Sequence, residues 1–247
     1  MTATRLANRA LIQLSPLEDG EDVTAFLQGL ITNDISSDLP AYAALLSAQG
    51  KTMFDMIVWR GPPGEHGPTL LLDCEAAVAD ELMKRLTLYR LRRKIGIARD
   101  ESKGVHWSTE SDDLLPTDPR LAALGHRWLA SSTDDEPADD AWLAHRLACG
   151  VPEGQAELAD MLWLETNAVE LNGVSFSKGC YIGQENTARM NWRQKVNRRL
   201  VVVPIDRSEE KRRKAEYPEL GFTVDHLRVP DIPADLVPEW MRLEKVE

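Results

Sequence analysis

The sequence predicts an α+β fold, and three observations indicate it. Short apolar runs of strand length alternate irregularly with helical patterns along the chain. Several predicted strands lie beside turn sequences, which favours antiparallel pairing over a parallel sheet. The chain has 247 residues, of which 43% are hydrophobic and 28% charged, and these proportions are typical of a globular protein of one or two domains.

The first half of the chain predicts a sheet covered by helices. In chain order we expect a strand at 11–14, a helix at 22–29, strands at 43–47, 53–59 and 69–73, and a helix at 76–91. The first helix has apolar residues in three-and-four spacing. The Gln49-Gly50-Lys51 turn between two apolar runs predicts a β-hairpin. Basic residues close the second helix, where the helix dipole favours positive charge.

The second half is less regular. Residues 108–140 are acidic and rich in Pro, Ser and Asp, and we expect a mobile, peripheral excursion there. A helix is predicted at 141–148 and a strand at 200–205, while the tail from Gly221 contains prolines and predicts extended pieces. We therefore expect an α+β region over 1–200 and a reduced β segment over 201–247.

Charge narrows the function classes. The formal net charge of −11 argues against a general nucleic-acid-binding protein. Residues 84–103 nevertheless hold eight basic residues against two acids, and 178–214 hold eleven against four. Such segments line one anionic site if the fold brings them together, or they are solvated faces. Both interpretations stay open from the sequence.

The cysteine and apolar patterns predict a compartment. Three scattered cysteines do not form a disulfide framework, and no apolar run is long enough for a membrane helix or a secretory signal. We therefore expect a cytoplasmic protein without a membrane partner. The five histidines show no ligand spacing, so no metal site is predicted.

One segment, KGCYIGQEN at 178–186, carries candidate chemistry. Lys178 and Cys180 are two residues apart, so in an extended stretch both project from one face, and the ammonium lowers the pKa of the thiol. We accordingly predict an accessible, reactive Cys180. Glu185 and Arg189 stand four apart in the favourable acid-first order on a helix. The alternative is that Cys180 and Tyr181 are packing residues and that Glu185–Arg189 is a plain surface pair.

The motif Lys-Gly-Cys-Tyr-x-Gly-Gln-Glu, with an arginine four residues later, resembles the signature of the YgfZ-type folate-binding proteins of the glycine-cleavage T-protein (aminomethyltransferase, GcvT-like) superfamily. Other segments match in chain order, namely FLQGLITND at 26–34, the Gly50-Lys51 turn with Phe54-Asp55, the arginine-rich segment at 88–97, and RLACGVP at 146–152. The resemblance covers about residues 10–205.

The resemblance implies a fold and a ligand. It implies a GcvT/YgfZ-like folate-binding domain and a truncated C-terminal β-barrel-like tail, because few residues follow Leu200. Tetrahydrofolate or a one-carbon derivative is the implied cofactor, with its carboxylate tail bound by basic residues. The folate-binding candidates are Asp55, Asn33, Arg90, Arg92, Gln184, Glu185 and Arg189. The candidate reactive residues are Cys180, Lys178, Tyr181 and Asp55.

Three functions compete at this point. The leading hypothesis is a tetrahydrofolate-binding accessory protein that assembles or repairs iron–sulfur clusters through Cys180, with iron–sulfur client or assembly proteins as partners. The second is a folate-dependent aminomethyl or one-carbon transferase, for which Asp55 is the candidate base. The third is a non-catalytic scaffold that has lost folate binding. Whether the chain is an enzyme stays open.

Overall fold

The computed structural model describes residues 3–110, 112–132, 135–193 and 196–243. It contains the predicted mixture of helices and antiparallel strands. The strands are β1 Arg5–Leu6, β2 Arg9–Pro16, β3 Ala41–Leu46, β4 Thr52–Arg60, β5 Leu70–Glu75, β6 Ile95–Asp100, β7 Lys103–Ser108, β8 His126–Ser131, β9 Arg198–Pro204, β10 Arg213–Tyr217 and β11 Phe222–Arg228. The α-helices are α1 Val23–Gln28, α2 Ala79–Arg90, α3 Asp139–Ala148, α4 Gln155–Leu158 and α5 Gln184–Arg193. No described helix is long and apolar enough to cross a membrane.

A five-stranded antiparallel sheet organises the molecule, with strand order β3-β4-β5-β2-β6. The predicted hairpin is confirmed as β3 and β4, which pair with Leu45 opposite Phe54. Because side chains alternate along a strand, β4 serves two cores. Phe54 and its alternating neighbours pack with α1 and α2 on one face. Ile57 and Trp59 pack with the tryptophans of the other face.

Sequence and packing together explain the helices on the first face. Asp22 caps α1 by accepting a hydrogen bond from the backbone N–H of Ala25 at 2.9 Å. Leu82 and Leu86 of α2 are four residues apart and fully buried against the sheet. The predicted helix at 76–91 is therefore confirmed, with a 3-10 turn as its first part.

Part of the acidic segment at 108–140 is built into the fold, whereas its described acids other than Asp118 are exposed or half-buried, and its mobility stays a prediction. Strand β8 pairs with β7 in a second sheet of order β1-β7-β8. Arg120 and Arg127 are almost completely buried. Each of these guanidinium groups pairs with a buried carboxylate, Arg120 with Asp118 and Arg127 with Asp73, which offsets the cost of burying the charge. Residues 111, 133 and 134 lie outside the described ranges.

The C-terminal tail forms an open three-stranded sheet of order β10-β11-β9. No closed barrel is found in the described residues, so the barrel-like tail is not confirmed. The sheet shares a core with the body of the molecule, since Leu200 and Val224 pack with Leu147, Leu158 and Met161. The proposed domain boundary at residue 200 stays a prediction. Residues 244–247 lie outside the described ranges.

Candidate functional site

The Cys180 loop is attached to the edge strand of the central sheet. Tyr181 packs into the core on one face of this sheet, and Ile182 packs against the core on the other. The loop therefore wraps around β3, the edge strand. Within this loop Cys180 is exposed.

Gly183 allows the close approach of the loop to the hairpin. Its φ is +81°, and a Cβ atom at this position would lie 2.6 Å from the Ser47 carbonyl oxygen and 3.0 Å from Gly50 Cα. Gly50 faces it with φ +76°. Asn186 then donates a hydrogen bond from Nδ2 to the Gln49 carbonyl at 2.8 Å. Two segments of the predicted motif are thus in backbone contact, and only glycine fits both positions.

Lys178 anchors the loop to the segment that follows α1. Its side chain is 7% exposed, and its Nζ donates to the carbonyl oxygens of Gln28 at 2.7 Å, Ile31 at 2.6 Å and Asn33 at 2.9 Å. Burial lowers the pKa of Lys178 to about 8, and the charge of Asp34 opposes this shift. The expectation that Lys178 and Cys180 share one face is wrong, because the chain bends over residues 176–178 instead of staying extended. Lys178 is buried where Cys180 is exposed.

Most of the other motif residues have structural partners. Burial raises the pKa of Tyr181, whose ring centroid lies 5.2 Å from the Lys178 ammonium. Asn33 donates from Nδ2 to the Tyr42 and Asn172 carbonyls at 2.8 and 2.7 Å. Gln184 begins α5, and the exposed Glu185 and Arg189 form an ion pair at 2.9 Å.

Asp55 lies on the far side of the sheet from α2. It points to the same face as Ile57, because both alternate with the residues that pack on α2. Arg90 lies at the end of α2 and donates to the Ile95 carbonyl at 2.8 Å, and Arg92 is exposed just beyond it. The prediction that Asp55, Arg90 and Arg92 form a single site is therefore wrong, because the sheet separates Asp55 from the two arginines.

A buried arginine–carboxylate network surrounds Asp55, and no sequence pattern indicated it. Its members are Arg9, Arg120, Arg127, Asp73, Asp118 and Glu153. Arg120 binds Asp118 through Nε at 2.9 Å and Nη2 at 2.7 Å, and its Nη1 donates to Glu153. Asp73 accepts from Arg9 at 2.7 Å and from Arg127 at 2.8 Å. In three of these pairs the partners are 33, 54 and 64 residues apart along the chain, so sequence spacing does not reveal them.

Asp55 is the extra acid beside this network. The charges of the three arginines and three carboxylates in the network balance, so the Asp55 carboxylate has no cation of its own. Its hydrogen bond from the Tyr42 hydroxyl is long, at 3.4 Å. Burial raises the pKa of Asp55 to about 6; Arg9 opposes the shift and Glu153 adds to it.

A cavity of about 370 Å³ lies next to the network, and its lining tests whether a folate fits. Arg9 and Arg146 line it together with Glu153, Trp142 and Tyr217. Both arginines are already paired, Arg9 with Asp73 and Arg146 with Glu157 at 2.7 Å. Asp55 does not line the cavity. As arranged here, these residues do not fit the carboxylate tail of a folate.

The sequence is similar to those of named iron–sulfur cluster assembly factors. The chain is 33% identical over 244 residues to the mitochondrial iron–sulfur cluster assembly factor IBA57 of Mus musculus, covering 83% of this chain and 66% of the relative. It is 34% identical over 237 residues to the factor of the same name from Homo sapiens, covering 81% and 65%. The chain is a homologue of these assembly factors. It spans just under two thirds of their length, and no family model matches.

A solved structure identifies the fold. The aminomethyltransferase T of the glycine cleavage system from Bartonella henselae superposes with a TM-score of 0.53 at 13% identity, covering 80% of this chain and 64% of that one. The GcvT-like fold expected from the motif is therefore confirmed, whereas the narrower YgfZ assignment stays a prediction. The cytoplasmic location is wrong on this comparison, because the relatives are named as mitochondrial proteins.

Proposed function

We propose that this chain is an accessory factor of iron–sulfur cluster assembly that acts through the Cys180 thiol. The observation that carries the proposal is the exposure of Cys180 on a loop fixed by Lys178 and Gly183. The other two cysteines are poorer ligands: burial raises the pKa of Cys74 to about 12 and raises that of Cys149 as well. The thiolate is the form that binds metal. The names of the relatives support the same role.

The cluster is the cargo of this site, and a partner supplies the remaining ligands. An iron–sulfur cluster is held by about four side chains, usually thiolates. In the described residues, no group of three or more His, Cys, Asp or Glu side chains could hold a metal ion. We therefore propose that a client or assembly protein brings its own ligands to the exposed Cys180.

Complementation of a strain defective in iron–sulfur enzymes tests this proposal. We expect Cys180→Ser to fold normally and to lose activity, because serine preserves the volume but not the thiolate. Cys149→Ser is the matched control and should complement. Full complementation by Cys180→Ser would contradict the proposal.

Folate binding stays a prediction of the motif resemblance. The cavity lining does not favour it, and Arg90 and Arg92 lie across the sheet from Asp55. Calorimetric titration with tetrahydrofolate and its methylene and formyl derivatives tests it directly, with Arg146→Met as the variant that removes a cavity guanidinium. A transferase is the less favoured alternative, because the candidate base Asp55 does not line the cavity. A scaffold without folate predicts no heat of binding for any of the three compounds and full complementation by Cys180→Ser.

A further inference from the structure

Exposed leucines gather at the C-terminal end of α2. Leu88, in the last turn of the helix, is 61% exposed, and Leu91, which ends it, is 83% exposed. Leu17 is 51% exposed and donates its backbone N–H to the Lys94 carbonyl at 2.8 Å, so it lies beside the turn that follows α2. Scattered exposed leucines are ordinary, whereas a group of them marks a contact surface. We call Leu17, Leu88 and Leu91 the leucine patch.

The backbone of Leu91 holds an apolar side chain in water at a cost. Its φ is +53° and its ψ is −113°, a conformation that glycine adopts freely and other residues rarely. Neither the backbone nor the packing of the fold therefore favours leucine at this position. Strain of this kind clusters at functional sites. Together the strain and the exposure indicate that this leucine serves a contact outside the chain.

Basic side chains border the leucine patch. Residues 84–94 contain six of them and no acid. Arg93 pairs with Glu21 of the neighbouring loop at 2.6 Å. Even when all four acids of that loop, 18–22, are counted, the corner keeps an excess of two positive charges, whereas the whole chain carries −11. In the described part of the chain, three of these basic side chains form no ion pair, namely Lys84, Arg85 and Arg92.

The leucine patch lies at the opposite edge of the central sheet from the Cys180 loop. Helix α2 packs on β2 and β6, which end the strand order β3-β4-β5-β2-β6. The Cys180 loop wraps around β3, the first strand in this order. A surface that is bound through the patch therefore leaves the thiol accessible to a partner protein.

We propose that the leucine patch and its basic border bind the surface of an anionic lipid bilayer. Leu88 and Leu91 enter the boundary between headgroups and acyl chains, where side chains that stand in water need no complementary pocket. Lys84, Arg85 and Arg92 stay at the headgroups, because their long aliphatic stems let the charges remain in water. The negative charge of the rest of the chain selects this orientation, since the same lipids repel it. The sequence-based expectation of no membrane partner rested on spanning segments alone, and surface binding needs none.

Co-sedimentation of the full chain with lipid vesicles tests the proposal. We expect binding to vesicles of phosphatidylcholine and phosphatidylserine in equal parts to be at least tenfold tighter than to pure phosphatidylcholine, and to weaken as salt is added. Leu91→Gly should weaken binding about tenfold without lowering the melting temperature, because it removes the apolar side chain and suits the positive φ. Arg92→Gln should weaken it about fivefold, because one charge is lost.

The matched controls are exposed residues outside the leucine patch and its basic border. Leu114→Gly removes a leucine that is 91% exposed and follows two acids, and Arg228→Gln removes an exposed arginine of β11. Both should bind the vesicles like wild type. Cys180→Ser should do the same, so the test does not depend on the role proposed for the thiol.

The proposal is refuted by equal binding of both kinds of vesicle, by equal weakening in the patch variants and their controls, or by no vesicle binding. In the last case, failure of Leu91→Gly to complement the iron–sulfur defect would identify an acidic protein surface as the occupant of the patch.

Discussion

Gly179 and Gly183 lie in very different surroundings, so the two glycines have different structural roles. The two glycines flank Cys180 and Tyr181 in the motif. A Cβ atom at Gly179 would meet nothing within 4 Å, whereas one at Gly183 would collide with the hairpin backbone. The motif thus contains one glycine that is needed for packing and one that leaves the neighbouring sulfur uncovered.

We predict that Gly183→Ala destabilises the protein by about 2 kcal/mol or more, because it adds left-handed strain to a steric clash. For a chain of this size the melting temperature should fall by about 4 °C or more. Gly179→Ala is the matched control and should stay within about 0.5 kcal/mol. Thermal unfolding followed by circular dichroism measures both, and equal effects would show that the contact with Gly50 is unimportant.

The ionisation of Asp55 makes the free energy of unfolding depend on pH, and the sign of this dependence is predictable. Its pKa is raised to about 6 in the folded protein from an ordinary value near 3.8. Between these values the folded state holds a proton that the unfolded state has released, so stability falls as pH rises through this window. The resulting loss of unfolding free energy is at most about 3 kcal/mol above the folded pKa, and it is absent below the unfolded pKa.

We therefore predict that Asp55→Asn becomes increasingly stabilising, relative to wild type, as the pH rises from 4 to 7. Urea unfolding of both proteins at several pH values measures the difference, and the contributions of other groups largely cancel in it. A difference that stays constant across this range would show that Asp55 does not titrate there.

Among the elements, strand β8 was the one least accessible to sequence reasoning. The β3–β4 hairpin and α2 were predicted because apolar periodicity and turn residues specify them locally. Strand β8 and the preceding loop lie in an acidic segment, and their burial depends on ion pairs to Asp73 of β5 and to Glu153, just before α4. Pairing across such separations leaves no periodic signal in a single sequence. For the same reason, the sequence did not predict that Arg9, Arg120 and Glu153 lie near Asp55.

We predict that Arg120→Met destabilises the protein by about 3 to 5 kcal/mol, because it leaves Asp118 and Glu153 buried without this partner. Arg189→Met removes an exposed pair on α5 and should change stability by no more than about 0.5 kcal/mol. Denaturant unfolding compares the two. A small effect of Arg120→Met would mean that water or Arg127 replaces the lost guanidinium.

At the scale of the whole molecule, the C-terminal sheet is tied to the body by polar and apolar contacts. Arg199 binds Glu170, and Asn167 donates from Nδ2 to the Leu200 carbonyl at 2.9 Å. Tyr217 donates to Glu157, and Trp240 donates to the Cys149 carbonyl at 2.8 Å. The contacts of Tyr217 and Trp240 join the segment after residue 200 to the part that precedes it, and the first two contacts hold the start of β9, the strand that spans the boundary.

We predict that the chain unfolds in one cooperative transition in spite of the sequence-based boundary at residue 200. The shared core of Leu147, Leu158, Leu200 and Val224 would be exposed if either part opened alone. Coincident urea transitions by tryptophan fluorescence and far-ultraviolet circular dichroism are the expected result. Two separated transitions would establish 201–247 as an independent unit.

The contact between Gly50 and Gly183 has a genetic consequence. A substitution in the hairpin turn changes no residue near the thiol in sequence, yet it displaces the backbone on which Cys180 is carried. Alleles at codon 50 should therefore share the phenotype of alleles at codon 180 and fail to complement them. Asn186→Gly is the place to look for a suppressor, because it removes the Cβ atom that would lie 3.2 Å from a Cβ built on Gly50.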